Sequence, residues 1–145
     1  MNNKELNKYA KLSLVSIMLA GIFASIHNYY EMGSHALILM SLIVILPIIL
    51  IFWFKYTKSK VALSIYGLIS VWIVIGFGLV DGLFKHTLKI LSGYGLVFLK
   101  NLHGGNIPLP QFNIIFEGTA LLTFIASIFV AYYSYKFIKK EVKNA

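Results

Sequence analysis

Three of the five acidic residues, Glu31, Asp81 and Glu117, lie within or at the edge of long apolar runs, and histidines sit close to them in the chain. His27 precedes Glu31 by four residues, as Asp81 precedes Lys85, so on a helix each pair shares a face. His35 follows the first apolar run, His86 ends the third, and His103 lies in the polar stretch beyond it. Imidazole and carboxylate together support two kinds of chemistry. They can ligate a divalent cation such as Zn or Fe, or act as a general acid/base pair, with Glu117 and His27 as the candidates for those roles. Glu117 stands out because "NIIFEGTALLTF" offers no basic partner within four residues, so it needs one from another helix or a proton. Ionisable residues inside a membrane span are site candidates by default, since an unpaired charge there costs about 3 kcal/mol or more.

The elements that carry these residues are membrane spans. The 145 residues are 59% hydrophobic and 12% charged, with a mean hydropathy of +0.80, more apolar surface than a soluble domain of this size can bury. Four segments, approximately 12–30, 36–54, 61–84 and 113–135, are long enough to cross about 30 Å of hydrocarbon as helices. The fold class expected is an all-α membrane protein, an antiparallel four-helix transmembrane bundle forming a single domain over 1–145. Ten of the 13 lysines flank the first span, the 55–60 connection and the C-terminal end, whereas Lys85, Lys89 and Lys100 fall between spans three and four. The excess of basic residues on the cytoplasmic side puts both termini in the cytoplasm and the candidate site at the opposite face of a cell membrane, as a multi-pass protein. Tyr132, Tyr133, Tyr135, Trp53 and Tyr56 are placed as an interfacial aromatic belt.

The N-terminal stretch "MNNKELNKYAK" followed by "LSLVSIMLAGIFAS" also fits a signal peptide cleaved near Ala24, which would leave three spans. The apolar run continues into a plausible span end, so a retained first span is the expectation. The connection 85–112 opens with Phe84, Leu88 and Leu91 set against Lys85 and Lys89, the pattern of an amphipathic helix lying on the outer surface, and "HGGNIPLP" reads as a turn.

Within the spans, Gly78 and Gly82 form a small-residue face suited to close helix packing, and Thr119, Thr123 and Ser127 form a hydroxyl stripe able to bond between helices. Because Gly82 adjoins Asp81, packing and carboxylate are expected to meet the same neighbour. Glu5 and Glu141 read as solvated charges in the tails.

Several chemistries are excluded. There is no cysteine, which removes thiol nucleophiles, thiolate metal sites and disulfides. A carboxylate-bridged di-iron bundle needs Glu-x-x-His, but Ser34 and Ala120 stand three residues after Glu31 and Glu117. The His-Glu-x-x-His, P-loop and dinucleotide patterns are missing. The lysines flank spans, without an arginine among them, so they serve topology and anionic lipid, and nucleic acid is not an expected partner.

The set left is His27, Glu31, Asp81, His86 and Glu117, with His35, Lys85 and Tyr30 around it. It suits a divalent cation or the polar head of a lipid-like molecule; a haem b between His27 and His86 is a further arrangement. The rival from another class is a non-catalytic accessory subunit, whose acids contact lysines or a partner protein's helix in the bilayer. The segments "IHNYYEMG…ALIL", "GFGLVDGLFKHTLK" and "FEGTALLTFIASIFVAYYSY" resemble a family of small four-span bacterial membrane proteins. That likeness covers nearly the whole chain and implies the same four-span fold, without an activity. A fainter likeness, through His27-x-x-x-Glu31 alone, is to the emopamil-binding sterol isomerases.

Overall fold

The computed structural model describes residues 3–88 and 114–144, all but the connecting residues in helices. α1 spans Asn3–Met32, α2 Ser34–Thr57, α3 Lys60–Trp72 with a direct continuation over Ile73–Thr87, and α4 Ile114–Asn144. Four stretches, Lys8–Tyr30, Met40–Thr57, Lys60–Thr87 and Ile115–Lys143, are long and apolar enough to cross a membrane. By length and composition the chain is a multi-pass membrane protein. Residues 89–113, which include the expected amphipathic segment and His103, lie outside the described residues.

The first break is a single residue. Gly33 adopts φ 63° and ψ −148°, a backbone state open to glycine but strained for residues with a Cβ, and its N–H bonds the Tyr29 carbonyl at 2.9 Å. The second is the left-handed Lys58 (φ 54°), whose N–H closes α2 on the Phe54 carbonyl at 2.8 Å. Ser59 then caps α3 by accepting from the Ala62 N–H at 3.3 Å, satisfying one of the donors a helix start leaves free.

α4 is the central element. It packs most extensively on α1 and next on the Ile73–Thr87 segment, while α2 lies against α1 and α3. The apolar core runs through Ala10, Ile17 and Ala20 of α1, Leu50 and Phe54 of α2, Tyr66 and Ile73 of the third span, and Val130 and Phe137 of α4. The outward faces carry large apolar side chains such as Leu42, Ile49, Leu68 and Ile128, as lipid contact requires.

At the end of the bundle that holds the start of α1, Ser13, Tyr66 and Ser134 form a buried hydroxyl cluster linking three helices. Ser13 Oγ bonds the Tyr66 hydroxyl and lies 2.6 Å from Ser134 Oγ, and Tyr66 reaches Ser134 at 3.1 Å. Sequence reading missed this cluster, because serines and a tyrosine at apolar-phase positions carry no charge to mark them. It also corrects the expected stripe on α4. Thr119, Thr123 and Ser127 donate to carbonyls of their own helix, those of Ile115, Phe116, Thr119 and Phe124, an option always within reach of a helical hydroxyl. Glu141 is a second correction. α4 continues to Asn144, so Glu141 stays on its inner face, buried, with Lys58 Nζ at 3.9 Å.

The third span changes its winding at Ile73. Over Ile73–Thr87 the backbone is a π-helix, with hydrogen bonds five residues apart instead of four. Its buried residues, Ile73, Gly78, Gly82 and His86, follow at intervals of five, four and four, the wider period this winding needs. Such segments are rare and cluster at functional sites. Here it places Asp81 and His86, five apart, on neighbouring faces of one turn.

Candidate metal centre

Four side chains from three helices meet at the end of the bundle opposite the hydroxyl cluster. His27 comes from the last turns of α1, Asp81 and His86 from the π-helical segment, and Glu117 from the first turn of α4. His27, His86 and Glu117 are buried, at 1%, 4% and 5% exposure, and Asp81 is partly exposed, at 15% of its side chain.

The close packing that permits this comes from Gly82 and Gly78. A Cβ on Gly82 would stand 2.8 Å from the Ala120 carbonyl oxygen, and one on Gly78 would run into the Ser127 side chain. These two residues therefore bring the π-helical backbone directly against α4. Asp81, one residue along and turned away about the axis, reaches α1 instead. That corrects the expectation that Gly82 and Asp81 face one neighbour.

Each histidine is oriented by its Nδ1. His27 Nδ1 lies 3.0 Å from the Phe116 carbonyl oxygen, which can only accept, so Nδ1 carries the proton and donates. The ring also stacks on Phe116, with centroids 4.2 Å apart and planes at 18°. His86 Nδ1 donates to Glu117 Oε2 at 2.9 Å. The partner that the surroundings of Glu117 lack in sequence is thus His86 of another helix. Both imidazoles then turn Nε2 inward, toward the same carboxylate. His27 Nε2 is 3.5 Å from Asp81 Oδ2, and His86 Nε2 is 3.9 Å from Asp81 Oδ1. Neither Nε2 has a hydrogen-bond partner. Lys85, largely exposed, reaches Asp81 Oδ1 at 3.4 Å from outside.

The other residues singled out by type stand apart. His35 is exposed in the first turn of α2 and makes no ion pair or hydrogen bond with the cluster among the described residues. Tyr30 is half exposed and meets the cluster only through an edge contact with Phe116, centroids 6.1 Å apart. The Glu31 side chain lies outside the described residues. The rings of His27 and His86 meet edge to face with centroids 4.3 Å apart, which leaves no space for a porphyrin plane between them. Phe116, as carbonyl and as ring, was not legible in advance, since backbone acceptors leave no mark in composition.

Chemically, the arrangement is two imidazole nitrogens and a carboxylate, with ligand atoms all within 4.8 Å of one another. Ligands each about 2 Å from one ion are at most about 4 Å apart, so closing on a metal takes side-chain shifts of about an ångström or less. No protein-family model, curated protein or solved structure matches this chain.

Proposed function

We propose that this chain is a cell-membrane protein that binds one divalent transition-metal ion through His27 Nε2, His86 Nε2 and Asp81. The observation that carries the reading is the pair of buried Nε2 atoms that make no hydrogen bond yet face one carboxylate. Their Nδ1 protons are committed to Phe116 and Glu117, so in the neutral rings both Nε2 lone pairs point at a third acceptor, the Asp81 carboxylate. Three converging acceptors repel one another unless a cation sits among them. Metal-bound histidines almost always donate their other N–H to a carboxylate or backbone carbonyl, and both do so here. Among the described residues, two carboxylates against the one ammonium of Lys85 favour uptake of a cation.

The ligand set also selects the metal. Imidazole nitrogen suits Zn, Fe, Cu and Ni, whereas Ca and Mg prefer all-oxygen shells. Three protein ligands leave coordination positions open, the pattern of sites that bind or react with a further ligand. Two contacts support an antiparallel bundle around this site: the end of α1 meets the start of α4 at His27, and the start of α1 meets the end of α4 at Ser13. Together with the lysine distribution, that supports both termini in the cytoplasm and the metal centre at the outer face. The accessory-subunit reading draws on the Asp81–Lys85 ion pair, which partly satisfies the carboxylate on its own helix, but it leaves both Nε2 atoms unexplained.

The test is thermal unfolding of the purified protein in a maltoside detergent with added metal. At a hundredfold excess over Kd, a ligand specific for the native state stabilises by about 2.7 kcal/mol. Zn2+ or Co2+ should raise the midpoint and Ca2+ should not; equal midpoints under all three would refute the metal reading.

A further inference from the structure

Among the described residues, Asp81 is the most exposed member of the proposed metal centre. His27, His86 and Glu117 are buried and Asp81 is partly exposed, with Lys85 beside it and its side chain 61% exposed. Lys85 thus holds a positive charge at the exposed edge of the cluster.

Charge decides what enters. Among the described residues, metal loading would invert the charge of the site: a divalent ion cancels Asp81 and Glu117, and Lys85 leaves one positive charge in excess. The loaded site thus favours an anion with a hard oxygen, able to ligate the ion and accept from an ammonium at once. Val80, next to Asp81 in the chain, and Tyr30, near the end of the first span, are exposed, and at the outer end of the bundle the site would meet the headgroup region of the lipids. Building on the proposed metal reading, we infer that the loaded centre with Lys85 is a binding site for a phosphate group, one oxygen on the metal and another on the Lys85 ammonium. Lysine serves phosphate as a point charge, and membranes present phosphate as lipid headgroups.

The inference gives Lys85 two opposite effects. In the empty site its ammonium competes with the metal for Asp81 Oδ1, so Lys85→Met should tighten metal binding or leave it unchanged. In the loaded site the same substitution should weaken phosphate binding about tenfold or more, the loss of one charge-assisted hydrogen bond. A residue that merely braced Asp81 would show neither split. Coupling is reciprocal, so phosphate should also tighten the metal.

The experiment uses the full chain in maltoside detergent with Co2+ as a spectroscopic metal. Inorganic phosphate and dihexanoyl phosphatidic acid are titrated separately into wild type and Lys85→Met, with and without Co2+. The expected result is a saturable change in the Co2+ visible spectrum in wild type, weakened in Lys85→Met, and no binding to the metal-free protein. A response to the lipid alone assigns the headgroup as the source, and a response to both assigns phosphate generally. Failure of Co2+ to bind at all would overturn the metal reading and this inference with it. Co2+ binding with no spectral response to either phosphate, or phosphate binding that ignores Co2+ or Lys85, would overturn the inference alone.

Discussion

His86 donates its Nδ1–H to Glu117 across 2.9 Å, and in doing so aims its Nε2 at Asp81. The bond joins the π-helical segment to the first turn of α4, and it fixes which nitrogen remains for a ligand. Glu117 is thus placed to hold a ligand without being one. Glu117→Gln keeps an acceptor for Nδ1 but removes the negative charge behind the ring. We expect it to weaken metal binding about 10- to 100-fold, while the chain still assembles and runs as wild type on gel filtration. Unchanged affinity in this variant would detach Glu117 from the site.

Asp81 and Glu117 bear on His86 from its two nitrogens, so their effects should not add. In detergent unfolding with saturating Zn2+, the double variant Asp81→Asn/Glu117→Gln should depart from the sum of the single variants by about 0.5–3 kcal/mol. If Asp81 served only Lys85, Lys85→Met would reproduce Asp81→Asn and the two acids would act independently.

Much of this site was legible in the chain. Asp81 and Glu117 announce themselves as carboxylates in apolar runs, and the need of Glu117 for a partner on another helix or a proton follows from its neighbours alone. What failed to show was geometry set by winding and by backbone. The i,i+4 spacing links Asp81 to Lys85, and that pair exists, but the π-helix adds a second relation, i,i+5, to His86. Alpha-helical spacing also joins His27 to Glu31, whose side chain lies outside the described residues, and gives no sign of the approach of His27 to Asp81 on another span. The four spans were readable from hydropathy because each is an apolar run of 18 residues or more, about the length that crosses the hydrocarbon core. Their pairing was not, since lipid-facing and helix-facing apolar residues look alike in composition. Glu141 shows the same limit at a helix end, where a charge near a terminus passes for solvated until the helix is seen to run on past it.

Gly78 and Ser127 form a contact that depends on size. Gly78→Ala pushes a methyl group into the Ser127 side chain and should destabilise the bundle by about 1–3 kcal/mol, a typical cost of overpacking. Ser127→Gly should restore most of that loss when combined with Gly78→Ala. Detergent melting of the three variants and wild type measures it, and absence of rescue would place the clash elsewhere.

The lysine distribution predicts orientation. Reporter fusions at the N-terminus, near Ser59 and at the C-terminus should all read cytoplasmic, and a fusion near Gly104 should read external. An external reading at Ser59 would put the candidate centre on the cytoplasmic side.

The central claim is that His27, His86 and Asp81 together hold one metal ion. The most direct measurement is the metal content of protein purified without chelator and then dialysed against Co2+, for wild type and for His27→Ala, His86→Ala and His35→Ala. The account predicts one equivalent per chain in wild type and in His35→Ala, and loss of the ion in the other two. No bound metal in wild type, or equal retention in all four proteins, would contradict it.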